Sequence, residues 1–135
     1  FYNSANYTIA PSSGTKRTTY WASTIENALG LTYTTQSGFR GFTVKKSGWY
    51  FINVVIHFTD AGFPQNTALY CYLDRNNINQ SSQIFEANNY KTANYTFLNY
   101  AEEGDFFSIA LLQNSGSNVT VNGSLSRLNV IFVGS

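Results

Sequence analysis

Residues 48–58 read GWYFINVVIHF. In an extended strand successive side chains point to opposite sides, so Tyr50, Ile52, Val54, Ile56 and Phe58 share one face. Trp49, Phe51, Asn53, Val55 and His57 share the other. The first face is wholly apolar and the second is only partly polar. A sandwich strand with one side in water needs a single apolar face. The reading of the fold turns on what covers the second.

Working outward, the chain divides into strand-like runs separated by turn-forming residues. The runs are YTIA (7–10), TKRTTYW (15–21), LTYTT (31–35), FRGFTV (39–44), WYFINVVIHF (49–58), ALYCYLD (68–74), QIFEA (83–87), ANYTFLNY (93–100), DFFSIALLQ (105–113), NVTVNG (118–123) and LSRLNVIFVG (125–134). The breaks carry SG, AGFP, RNN, EEGD, NSGS and NGS, all suited to turns. One short segment, STIENALGL at 23–31, has helix signals: Ser23 as a cap with Glu26 three residues on, and Gly30 as a stop. It reads equally as a loop. There is no internal repeat and no low-complexity linker. With 135 residues, the chain is a single domain over 1–135, built as one antiparallel β-sandwich, with a jelly roll as the expected form.

Two further strands share the oddity of the first. DFFSIALL sets Phe107, Ile109 and Leu111 against Phe106, Ala110 and Leu112, and RLNVIFVG sets Leu128, Val130 and Phe132 against Ile131 and Val133. Three strands with two apolar faces predict a sheet covered on both sides. No helix is left to cover it, so another copy of the chain is the expected cover, in a closed homo-oligomer.

Charge excludes some partners. Eight Lys and Arg against seven Asp and Glu leave a net charge of +1, too little to gather a polyanion or an anionic membrane surface. Nucleic acid is therefore not an expected partner. No apolar run approaches the ~20 residues of a membrane span, so insertion is not expected either. A single cysteine, Cys71 in ALYCYL, excludes an internal disulfide and reads as a buried thiol. Polarity comes instead from 16 Asn, 14 Ser and 14 Thr, a surface of neutral hydrogen-bonding groups that inclines toward extracellular or viral β-proteins. The five N-x-S/T sequons, at Asn6, Asn79, Asn94, Asn118 and Asn122, are about what this composition yields by chance and say nothing of glycosylation.

Catalysis finds no support. His57 is the only histidine and sits in mid-strand, and no G-x-S-x-G elbow is present. One His and one Cys cannot make a zinc site without carboxylates. Glu102 and Glu103 are adjacent, which aims them apart, unlike the facing carboxyls of a glycosidase. Asp60, Asp74, Glu86 and the Glu102, Glu103, Asp105 turn are the main loop-like acids; the last group is the densest and the candidate for a cation such as calcium, but EEGD is also a plain solvated turn. The expectation is no enzyme, no metal and no cofactor.

Three motifs carry a resemblance. FTVKKSGWYFI places Gly48 and Tyr50 as a strand followed by G-x-Y-x-φ. LNYAEEGDFFSIAL leads a strand through an acidic Gly turn into another strand, the turn slightly lengthened by Ala101, Glu102 and Glu103. SRLNVIFVGS closes the chain as an S-x-φ-x-φ-φ-φ strand. In order and spacing these resemble the tumour-necrosis-factor-like jelly roll, in its complement-globular-head branch, over roughly residues 38–135. The resemblance implies an all-β, ten-stranded antiparallel jelly-roll sandwich that assembles as a homotrimer. It also implies that the strands matching GWYFINVVIHF, DFFSIALLQ and SRLNVIFVGS lie in one inner sheet facing a threefold axis. The trimer interface would then include Phe51, Val55, His57, Phe106, Leu112, Ile131 and Val133.

Such heads stand at the ends of phage or viral tail fibres and of bacterial collagen-like filaments. The expectation is therefore the C-terminal part of a longer fibre or filament protein, extracellular, on a virion tail fibre or a bacterial surface, binding a host-cell-surface glycan or protein. Aromatic faces stack on sugar rings while amides bond the hydroxyls. On that chemistry the candidate ligand residues are Phe63, Gln65 and Asn66 in DAGFPQNT, Asn76 and Asn77 in DRNNIN, and Asn88, Asn89 and Tyr90 in EANNYKT. Each also reads as ordinary turn chemistry. The alternatives are a structural trimerisation or capsid-surface module without a ligand, and a secreted complement-head-like domain binding a protein receptor.

Overall fold

The alternation of the opening stretch is obeyed along its whole length: Tyr50, Ile52, Val54, Ile56 and Phe58 are buried, while Trp49 is exposed and Phe51, Asn53, Val55 and His57 are half-buried. A computed structural model of the chain describes residues 6–10, 17–18, 31–37, 39–59, 67–87 and 92–135. Among the described residues there are eleven strands and no helix: β1 (Tyr7–Ile9), β2 (Arg17–Thr18), β3 (Leu31–Gln36), β4 (Phe39–Val44), β5 (Gly48–His57), β6 (Thr67–Arg75), β7 (Ile78–Ala87), β8 (Thr92–Ala101), β9 (Phe106–Gln113), β10 (Val119–Val121) and β11 (Arg127–Gly134). Each strand overlaps one of the predicted runs, but β7 begins at Ile78, well before the expected QIFEA (83–87), and the count is eleven where the resemblance implied ten. The candidate helix at 23–31 lies outside the described residues except for Leu31, which opens β3.

Two layers enclose the core. One sheet runs β11-β5-β8, and the other runs β3-β4-β9-β6-β7 with β2 also paired to β9. The β1-β10 ribbon extends the first sheet: Phe58 bridges Val121, the Thr59 amide donates to the Thr120 carbonyl (3.1 Å), and the Asn122 amide donates to the His57 carbonyl (2.7 Å). Between β10 and β11 the chain leaves the edge of β5 for a turn. There the Ser126 hydroxyl accepts from the His57 amide (2.9 Å) and donates to the Asn122 carbonyl (2.8 Å), so no ladder group is stranded. The core joins Ile52, Val54, Ile56, Tyr95, Phe97 and Leu128 of one layer to Phe42, Leu69, Cys71, Leu73, Phe107 and Ile109 of the other. The Tyr95 hydroxyl crosses the gap to donate to the Leu69 carbonyl (2.9 Å). This is an all-β antiparallel sandwich.

One expectation is corrected here. β9 does not lie with β5 and β11; it is the central strand of the other sheet, flanked by β6 on one side and by β4 and β2 on the other. Its second apolar face is covered within the chain: Phe106, Ser108 and Ala110 are all buried. The Phe106 ring lies over Gly41, where a Cβ would meet its tip at 2.9 Å. Phe106 is therefore a core residue and not a surface for a partner chain, and Leu112 shares its sheet and not that of Phe51.

Candidate functional site: the outward face of the three-stranded sheet

The side of β11-β5-β8 turned away from the core is built by register. Ile131, Phe51 and Leu98 stand side by side across the three strands, and Trp49 pairs with Tyr100 in the next row. The Trp49 and Tyr100 rings meet edge to face at 5.6 Å between centroids. Val133 sits in the bulge that shifts the β11 register between Phe132 and Gly134. These side chains are strongly exposed for their type: Leu98 60%, Val133 61%, Ile131 55%, Trp49 46%. Contiguous exposed apolar side chains of this kind are what protein interaction surfaces carry.

The other half of the face is polar. Asn129, Asn53 and Thr96 share one row, Arg127, Val55 and Asn94 the next, and His57 and Thr92 the last. The Asn53 amide donates to Asn94 Oδ1 (2.6 Å) and accepts from Asn129 Nδ2 (3.2 Å). His57 Nδ1 lies 3.2 Å from the Thr92 hydroxyl.

The β8 edge of this sheet is occupied by side chains from the opposite layer. The Gln83 amide of β7 meets Thr96 of β8 in both senses, donating to its carbonyl and accepting from its N–H (3.0 Å). Arg75 donates to the Tyr100 carbonyl (3.1 Å). A strand adding to β8 would have to displace both, so on the β8 side the face, and not the edge, is the open surface.

Of the residues singled out in sequence, Phe51, Val55, His57, Ile131 and Val133 lie on this sheet, and the first four share its outward face. Trp49, Asn53, Leu98, Tyr100, Asn94 and Asn129 also stand on the face and were not among them. In TANYTFLNY the alternation of Ala93, Tyr95 and Phe97 with Asn94 and Thr96 reads as an ordinary amphipathic strand. Leu98 and Tyr100 on the polar phase were the signal that could have revealed the patch.

Asn76 and Asn77 form the β6–β7 turn, with φ of 51° and 66°. Asn76 is tied down: its Oδ1 accepts from the Phe106 amide (2.9 Å), its Nδ2 donates to Asp105 (2.8 Å), and its own N–H donates to the Phe106 carbonyl (2.7 Å). Asp105 also accepts from the Glu102 amide (2.9 Å) and lies 3.7 Å from Arg75. Its carboxylate is a turn brace, and no three His, Cys, Asp or Glu among the described residues come together to hold a metal. Phe63, Gln65, Asn66, Asn88, Asn89 and Tyr90 lie outside the described residues. Cys71 is buried, and burial, reinforced by Asp74, pushes its thiol well above the usual range, which keeps it a neutral core group.

No protein-family model matches the sequence, and no curated protein matches it. Solved structures do share its fold. Eiger TNF from S. frugiperda superposes with a TM-score of 0.60 at 11% identity, over 96% of this chain and 86% of that one. Pika GITRL (TM-score 0.49, 16% identity, 80% of this chain and 86% of that one) and rabbit GITRL (0.48, 17%, 76% of each) are further neighbours. At these identities the likeness is one of fold, and of these three the Eiger TNF superposition is the one that supports it. The chain has a tumour-necrosis-factor-like fold.

Proposed function

We propose that this chain is a non-enzymatic, trimeric, extracellular head domain that binds a cell-surface receptor. The observation that carries the reading is the exposed apolar band Ile131–Phe51–Leu98 with Trp49, Tyr100 and Val133, on the sheet whose β8 edge is already capped. Burying such side chains contributes about 1.5–3 kcal/mol for each one fully covered. The occupant is a second copy of the chain, because the face carries asparagines that both donate and accept and so can satisfy one another. The sequence motifs resemble those of the tumour-necrosis-factor-like jelly roll, and the Eiger TNF superposition supports that fold. Both favour three copies around an axis. The interface is then Phe51, Val55, His57, Ile131 and Val133 with Trp49, Leu98 and Tyr100.

The receptor contact falls to loops, with Phe63, Gln65, Asn66, Asn77, Asn88, Asn89 and Tyr90 as carriers and a host-cell glycan as the ligand. The setting is a phage tail fibre or a bacterial filament. A glycan array probed with labelled protein tests this part: saturable binding lost in Phe63→Ala and Tyr90→Ala is expected. A three-chain protein that binds no glycan and no cell surface would favour a structural trimerisation module, a reading that gains from Asn76 being held by internal bonds.

A further inference from the structure

The asparagines of the outward face form a directed chain. Asn129 donates from Nδ2 to Asn53 Oδ1 (3.2 Å). Asn53 in turn donates from Nδ2 to Asn94 Oδ1 (2.6 Å) and to the Tyr95 carbonyl (3.2 Å). A carbonyl only accepts, so the Tyr95 contact decides which end of the Asn53 amide is nitrogen, and with it the sense of the whole chain. Both bonds of the array therefore run from donor to acceptor in the sense β11 toward β8. An acceptor, Asn129 Oδ1, is left at the β11 side, and a donor, Asn94 Nδ2, at the β8 side; neither has a partner among the described residues.

This polarity distinguishes two ways of assembling copies. Copies standing the same way up, around an axis parallel to the strands, bring the donor end of one chain to the acceptor end of the next. An inverted copy brings donor to donor and acceptor to acceptor. The apolar band cannot make this distinction, because apolar burial is non-directional. We propose that the Asn129–Asn53–Asn94 array is the alignment determinant of the assembly, holding all copies the same way up and at one height. It rests on the self-association proposed above. In a ring of three, the arrays link end to end into one closed circle of amides, and a single polar layer inside an apolar interface sets orientation at some cost in stability. For a fibre head this has a use: all chains enter from the same end.

The experiment uses the whole chain carrying Ser135→Cys, labelled with a fluorescent donor or acceptor; Cys71 is buried and stays unlabelled. Residue 135 follows β11 at one end of the sheet, and inverting a copy moves its label by about a strand length, roughly 30 Å for ten residues. Energy transfer within the assembly is compared for the parent, Asn53→Val and Asn94→Asp, with mass measured in parallel. Asn53→Val removes the centre of the array and is expected to keep assembling with reduced transfer. Asn94→Asp keeps the acceptor for Asn53 but replaces the outgoing donor by a second acceptor, and is expected to raise the dissociation midpoint roughly tenfold or more. Both side chains face outward, so circular dichroism is expected to match the parent. Parent-like transfer and midpoint in both variants would overturn the proposal while leaving self-association standing. A single-chain parent would defeat self-association itself, and the mass alone would reveal that.

Discussion

Asn76 carries the residue type expected of a sugar contact, yet its amide is taken up by the Phe106 N–H and the Asp105 carboxylate across the β6–β7 turn. The turn chemistry of NN was legible; that it also braces the β8–β9 turn was not, because the partners lie thirty residues away. Asn76→Ala is expected to lower unfolding stability by about 2–4 kcal/mol, from two lost side-chain bonds and a residue that tolerates positive φ less well than Asn. Asn76→Gly should recover part of this, and urea unfolding of the two variants checks the order. Gly48 shows the opposite case, a motif whose reason emerges from the structure. Its φ is +152°, and a Cβ there would collide with the Phe132 ring and the Gly134 carbonyl. Two residues on, Tyr50 packs edge to face on Phe132 (5.3 Å) and donates its hydroxyl to the Lys46 carbonyl (2.7 Å). The spacing G-x-Y records one packing unit that closes β11 onto the start of β5.

At the scale of the strand, the two faces of β5 answer differently to the same charge. Val54→Asp places an unpaired carboxylate in a fully buried site, costs several kcal/mol, and is expected to prevent folding. Phe51→Asp, on the outward face, is expected to leave a folded single chain with an unchanged far-ultraviolet spectrum. Equal loss of structure in both would mean that the outward face is not a surface. The faces of β5 and β11 were readable from period two alone. The sheet to which β9 belongs was not, since Phe106 and Phe107 need two covered faces whether the cover is a partner or the chain's own layers, and periodicity does not name neighbours. Nor could the sequence reveal Gln83 at the β8 edge, a contact between strands of opposite sheets. Gln83→Ala is expected to cost about 1–2 kcal/mol and to raise concentration-dependent aggregation, read by light scattering on heating, because it bares a strand edge.

For the molecule as a whole, buried hydroxyls and the thiol set an alkaline limit. Burial raises Tyr7 and Tyr95 above their ordinary 10.0, and burial with Asp74 raises Cys71 above 9.0. The folded chain holds these protons more tightly than the unfolded chain, so their contribution is whole below about pH 9 and is lost as pH rises beyond it. The melting temperature is expected to hold up to that point and fall above it, with phenolate absorbance of the buried tyrosines appearing together with unfolding. The larger question is the one GWYFINVVIHF poses, and the sequence led as far as a partner chain because Phe51, Val55 and Ile131 had no cover within a sandwich. Among the described residues that face keeps Ile131 exposed and Phe51 and Val55 half-buried, with exposed Leu98 and Tyr100 added to it. The decisive measurement is the molar mass of the domain in solution, by light scattering behind a sizing column. A mass of three chains that falls to one in Phe51→Asp is expected, and a stable single chain in the parent would contradict a trimer built on this face.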